Sequence, residues 1–127
     1  MATELFTYAI IGSRNFKNKQ IVYKTLVSLM EIGRFFVVSG GARGVDTWVK
    51  EFCEEHDIPL TEILPTDKTN KLSYLFRNVE ILAAADRLIA FWDGNSKGTK
   101  FTIEYAKKRK MDMVIIGDDG NETYFTY

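Results

Sequence analysis

The stretch Phe35-Phe36-Val37-Val38-Ser39-Gly40-Gly41-Ala42-Arg43-Gly44-Val45-Asp46 narrows the choice of fold more than any other part of the chain. Its first four residues form a continuous apolar run with β-branched members, which reads as a strand. A turn with three glycines and one arginine follows, and an apolar repeat of helical spacing starts at Val45. Strand, glycine loop and helix start therefore follow in that order. Glycines let the backbone approach a ligand without a Cβ in the way, and the N–H groups of a first helical turn carry partial positive charge. An anion is the natural guest of such a loop.

The rest of the chain alternates between the same two periods. Tyr8-Ala9-Ile10-Ile11 reads as a buried strand ending at the turn Gly12-Ser13-Arg14-Asn15. From Asn18 to Ile32, Val22, Leu26, Leu29 and Met30 make a helical stripe, with Gly33 at its stop. Val45, Val49, Phe52 and Cys53 make a second stripe, closed by Ile58-Pro59. Leu60 to Leu64 reads as a third strand, and Thr66 to Lys71 as an exposed loop. Leu72, Leu75, Phe76, Val79, Leu82 and Ala83 give a third helix. Arg87 to Trp92 is a fourth strand, followed by the loop Asp93-Gly94-Asn95-Ser96-Lys97-Gly98-Thr99. A helix through Ile103 and Ala106 ends in four cations at Lys107 to Lys110, which suit the negative end of its dipole. Met113 to Ile116 is a fifth strand, and 118–127 is read as a short tail, polar and then aromatic.

Strands and helices alternating at this spacing imply one α/β domain over 1–127, with its core at about 7–117. The expected architecture has three layers: an open, mainly parallel five-stranded sheet with helices on both faces. All loops that follow strands then meet at one sheet edge, where such folds bind ligands. That edge collects Gly12, Ser13, Arg14, Ser39, Gly40, Gly41, Ala42, Arg43, Gly44, Asp46, Asp93, Ser96, Gly98 and Thr99 as candidate ligand-binding residues.

Each candidate also has a bland reading. Gly12-Ser13-Arg14 alone is a turn with an exposed arginine, and Gly98-Thr99 a helix start. Asp46 could merely complement a helix dipole. Arg77 and Asn78 lie off the apolar stripe of their helix, so they either face solvent or reach over the sheet edge to a ligand. The glycine loop is not a Walker A sequence, because no Gly-Lys-Ser/Thr follows, nor is it a GxGxxG fingerprint.

Cations and carboxylates balance at 17 each, which argues against a general DNA- or membrane-coating role and makes nucleic acid an unlikely partner. One cysteine, Cys53, and one histidine, His56, do not make a four-ligand zinc site, so no metal and no cofactor is expected. Met1-Ala2-Thr3-Glu4 lacks the start of a signal peptide, and no apolar run approaches a membrane span. A cytoplasmic protein with no membrane partner is the expectation.

Taken together and in order, Gly12-Ser13-Arg14, Val38 to Asp46, Arg77-Asn78, Ala85 to Phe91 and Asp93 to Thr99 resemble the SLOG superfamily, the Rossmann-like group containing SMF/DprA and the LOG phosphoribohydrolases. The small YspA/YpsA-related members look most alike. The resemblance implies a Rossmann-like domain binding a nucleotide or nucleotide-derived ligand, with Arg14 and Arg43 on phosphate and Asp46, Asn78 or Asp93 on ribose or base. An alternative implied function is LOG-type N-glycosidic hydrolysis of a nucleoside monophosphate, with Arg77 and Glu104 as weak catalytic candidates and Asp46 or Asp93 as other choices for the carboxylate. In the LOG motif a glutamate lies just after the Gly-Thr pair; here Lys100-Phe101-Thr102-Ile103 intervene before Glu104, which places binding above catalysis. Single-stranded DNA binding, implied by the DprA side of the superfamily, ranks last on the balanced charge. The aromatic end Tyr124 to Tyr127 suggests a homo-oligomer.

Overall fold

The computed structural model describes residues 5–127, so the Met1–Glu4 stretch weighed above as a leader lies outside the described residues. The element order is β1 (Phe6–Gly12), α1 (Lys19–Ile32), β2 (Phe35–Ser39), α2 (Val45–Glu55), β3 (Leu60–Glu62), α3 (Lys71–Ala83), β4 (Arg87–Trp92), α4 (Lys97–Lys108), β5 (Met113–Gly117) and β6 (Glu122–Phe125). The sheet order is β3-β2-β1-β4-β5-β6, parallel throughout except for the antiparallel pair β5/β6.

The expected α/β architecture is present, with one strand more than the sequence suggested. Residues 118–127 are not merely a tail. Asp118 to Asn121 form a tight turn in which Gly120 takes a φ of 83° and donates its N–H to the Gly117 carbonyl at 2.9 Å. Glu122 to Phe125 then return as an edge strand, with Val114 opposite Tyr124. Four residues ending in aromatics are too short to show a strand period.

Alternate residues of the central strands feed two cores, as the pleat requires. Tyr8, Ile10 and Val37 face α1 and α2, packing with Val22, Leu26, Val49 and Phe52. Ala9, Ile11 and Val38 face α3 and α4, packing with Ile81, Leu82, Ile103 and Ala106.

Helix α3 forms where expected, but it is rotated about its axis. Leu82 of the expected stripe is buried, whereas Leu72 and Phe76 are exposed by 57% and 66%, and the inward face is instead Ser73, Arg77 and Ile81. A polar side chain faces inward only where its hydrogen bonds are met, and those of Arg77 are met by backbone carbonyls described below.

Closure of the sheet edge depends on Gly12. A Cβ placed on this residue would lie 2.4 Å from Cβ and Cγ2 of Val45, the first residue of α2. Gly12→Ala therefore forces β1 and α2 apart, an overpacking cost of about 1–3 kcal/mol. Thermal unfolding should show a Tm lowered by about 3–15 °C; an unchanged Tm would contradict this packing.

Candidate functional site

The carboxyl ends of β1, β2 and β4 carry three loops, and buried hydroxyls join two of them. Ser13 donates its N–H to the Phe91 carbonyl at 2.9 Å, and its Oγ lies 3.3 Å from Thr99 Oγ1 and accepts the Asp93 N–H at 3.2 Å. Asp93 in turn accepts the N–H groups of Asn95 and Ser96 at 2.8 and 2.9 Å, folding its own loop. Burial opposes ionisation of Asp93, but these N–H groups and the Ser13 hydroxyl outweigh it and hold the carboxyl below its usual range. Ser96 caps α4 by accepting the Thr99 N–H at 3.3 Å. Trp92, half-buried, donates its indole N–H to the Ser96 carbonyl at 3.1 Å and fixes the same loop.

The glycine loop after β2 is shaped by its special dihedrals and by Asp46. Gly41 and Gly44 take φ values of 69° and 83°, a region that favours glycine. Asp46 accepts the Ala42 N–H at 2.9 Å from the head of α2. Burial pushes its carboxyl pKa up, opposed by the Ala42 N–H, the nearby Ser39 hydroxyl and the Arg77 guanidinium. The second Asp46 oxygen and Ser39 Oγ lie buried without completing a hydrogen bond.

Arg77, 6% exposed, reaches this loop from α3. It donates to the carbonyls of Gly40 at 2.6 Å and Ile63 at 3.2 Å, and to Asn78 Oδ1 at 2.8 Å. Asn78 passes the contact on to Thr102 at 2.9 Å.

These loops wall a cleft of about 750 Å³. Of the residues singled out in the sequence, Gly12, Arg14, Gly40, Ala42, Asp46, Arg77, Asn78, Asp93, Ser96, Gly98 and Thr99 line it. Ser13 and Ser39 are buried and outside the lining, as is the partly buried Gly44, and Gly41 and Arg43 are exposed outside it. Glu104 is exposed on α4, also outside the lining, so it does not meet Arg77 in the cleft, whereas the other carboxylate candidates, Asp46 and Asp93, line it with Arg77.

The sequence reading missed several lining residues. Lys68 and Lys71 lie in what was read as a plain exposed loop, and Tyr74, Lys97 and Phe101 also line the wall. Tyr74 carries a guanidinium at 5.2 Å from its ring centre, that of Arg14, and another at 5.4 Å, that of Arg77. Four exposed cations thus converge on one cleft, although the chain as a whole is neutral. A second groove of about 780 Å³, between α1 and the β5–β6 hairpin, lacks the glycine loops.

Comparison with known proteins fits this geometry. Residues 1–58 match the family described as DNA recombination-mediator protein A. The Gene 61 protein of Mycobacterium phage D29 is 30% identical over 118 residues, covering 86% of this chain and 94% of that protein. DNA processing protein A (DprA) from Streptococcus pneumoniae superposes with a TM-score of 0.76 at 19% identity, over 88% of this chain and 50% of that one. The Helicobacter pylori DNA processing protein A, whose structure describes a single-stranded DNA binding mode, superposes with a TM-score of 0.66 at 23% identity, over 87% and 65%. The chain thus spans about half to two thirds of these two structures.

The matches correct two expectations. A small nucleotide-derived ligand as the function, and nucleic acid as an unlikely partner, both give way, because the structural neighbours are DNA-processing proteins and one is described by its binding of single-stranded DNA. The physical reason is that net charge averages over the surface, whereas binding reads the local field. Among the described residues, no helix is long and apolar enough to cross a membrane.

Asp46 offers a test of the loop's electrostatics. Its pKa is raised on folding from the ordinary 3.8, so the stability it contributes is present below that value and is lost as pH rises through the folded-state pKa. Asp46→Asn keeps an acceptor for the Ala42 N–H and removes that loss. Urea unfolding at pH 4 and pH 8 should show wild type losing stability relative to the variant as pH rises; the opposite trend would show that the carboxylate is stabilised by ionisation.

Proposed function

The chain belongs to the family of the Mycobacterium phage D29 Gene 61 protein, within the SLOG/DprA–SMF superfamily, and from that premise we propose that it binds single-stranded DNA along the cleft at the carboxyl edge of its sheet. The observation that carries this reading is the convergence of Arg14, Lys68, Lys71 and Lys97 with Tyr74 and Phe101 on that cleft. Cations track a phosphate backbone, and exposed aromatic rings accept unpaired bases, whose faces a duplex hides. Stacking on an aromatic ring contributes about 1–3 kcal/mol per base. Two carboxylates share the lining with these cations. Asp93 is folded onto its own loop, and Asp46 is buried against Ala42.

The motif order supports setting the chain beside the small YspA/YpsA-related members. Cys53, a buried free thiol, is consistent with a cytoplasmic setting. Tyr124 and Tyr127, each more than half exposed, support self-association as part of the same reading.

The test is anisotropy of a labelled oligothymidine across a salt series. Four cations on phosphates give a log–log slope of about −3, at about 0.7 per contact on single strands. Arg14→Ala should make the slope shallower by about 0.7, while Tyr74→Ala should leave it unchanged and weaken binding by about 1–3 kcal/mol. No binding at low salt, or equal binding of a duplex, would overturn the proposal.

A further inference from the structure

Arg77 and Asn78 sit in the wall of the cleft, where a cation and an amide would ordinarily be read as ligand contacts. Arg77 Nε and Nη1 and both polar side-chain atoms of Asn78 are committed elsewhere, while Arg77 Nη2 makes no hydrogen bond among the described residues. Arg77 Nη1 donates to the Gly40 and Ile63 carbonyls, and its Nε to Asn78 Oδ1. Asn78 Nδ2 donates to Thr102 Oγ1, and the Thr102 hydroxyl donates to the Gly98 carbonyl at 3.0 Å. One continuous hydrogen-bond chain therefore runs from the glycine loop after β2, through α3, to the first turn of α4. The loop can lie against the guanidinium only because residue 40 is glycine: a Cβ there would sit 2.7 Å from Arg77 Cζ. Tyr74 covers the guanidinium on another side, and Thr102 is fully buried.

We propose that Arg77 and Asn78 are positioning residues that clamp the two glycine-bearing loops at a fixed separation, and that neither contacts the nucleic acid. The inference rests on the single-stranded DNA reading of the cleft. Consecutive phosphates of a bound strand would then meet two anion-binding loops whose spacing is set by the protein before binding. Fixing that geometry in the free protein removes an ordering cost from the binding step. A conserved charge count is not required of a clamp, so it leaves a different signature from a phosphate ligand. Losing a phosphate contact makes the salt dependence shallower, whereas losing a clamp lowers affinity at every salt concentration alike.

The test compares wild type with Asn78→Ala and Arg77→Met, and a labelled oligothymidine is the probe. Asn78→Ala leaves the Arg77 carbonyl contacts available, so it keeps the question open to measurement if Arg77→Met fails to fold. The clamp predicts binding weakened about tenfold in Asn78→Ala, from the loss of two hydrogen bonds, with the salt slope of wild type. It also predicts faster amide hydrogen exchange, by about fivefold or more, in both 40–44 and 97–99 of the free protein, with β1 and β4 unchanged. A slope shallower by about 0.7 in either variant would make that residue a phosphate ligand and overturn the clamp, as would unchanged affinity. If wild type binds no oligothymidine, the single-stranded DNA reading fails, and exchange alone decides: faster exchange in both segments upholds the mechanical link, and an unchanged segment overturns it.

Discussion

A guanidinium shut inside the protein must find oxygen atoms, and the oxygens that Arg77 finds decide how the binding edge is built. Two are carbonyls, of Gly40 and Ile63, at the ends of β2 and β3, and the third belongs to its neighbour Asn78. Leaving such a charge buried without partners would cost several kcal/mol, so α3 cannot rotate or slide without disturbing the glycine loop. The rotation of α3 follows from this. Ser73, Arg77 and Ile81 turn inward, and Leu72 and Phe76 are left outside. Burial holds the Arg77 pKa below its usual value, while Asp46 opposes that shift. The loop is thus held by a cation below it and by a carboxyl at the head of α2.

Much of the fold was legible because parallel strands buried on both faces are written as short apolar runs. Arg87 to Trp92 and Val45 to Cys53 stand where their patterns place them. What was not legible has physical causes. The pattern of α3 reported apolarity but not which residues find partners, so Phe76 read as core and Arg77 as either solvent-facing or a ligand contact. Glu122 to Phe125 carried no period long enough to mark a strand, and its pairing is set by β5 and the Gly120 turn. In the site, the glycine loops announced an anion, because their chemistry is local. Lys68, Lys71, Tyr74, Lys97 and Phe101 did not, because only the folding of two helices against one edge brings them together.

The same distinction explains why balanced charge misled. Seventeen cations and seventeen carboxylates cancel in a sum, yet their placement is uneven: Arg14, Lys68, Lys71, Arg77 and Lys97 line the cleft against the two carboxylates Asp46 and Asp93. What remains in the cleft is a cationic rim around aromatic rings, a composition suited to a flexible polyanion with exposed bases. The glycine loops then have a more specific task than anion capture. They stand beside side-chain cations, and a hydrogen-bond chain through Arg77, Asn78 and Thr102 joins one loop to the other.

Where a bound strand lies is the central claim, and photocrosslinking with an oligothymidine carrying 5-iodouracil tests it most directly. Mapping by mass spectrometry should place the crosslinks on Tyr74 and Phe101, the rings that line the carboxyl-edge cleft. Crosslinks confined to the groove between α1 and the β5–β6 hairpin, at Tyr124 for instance, would contradict the account.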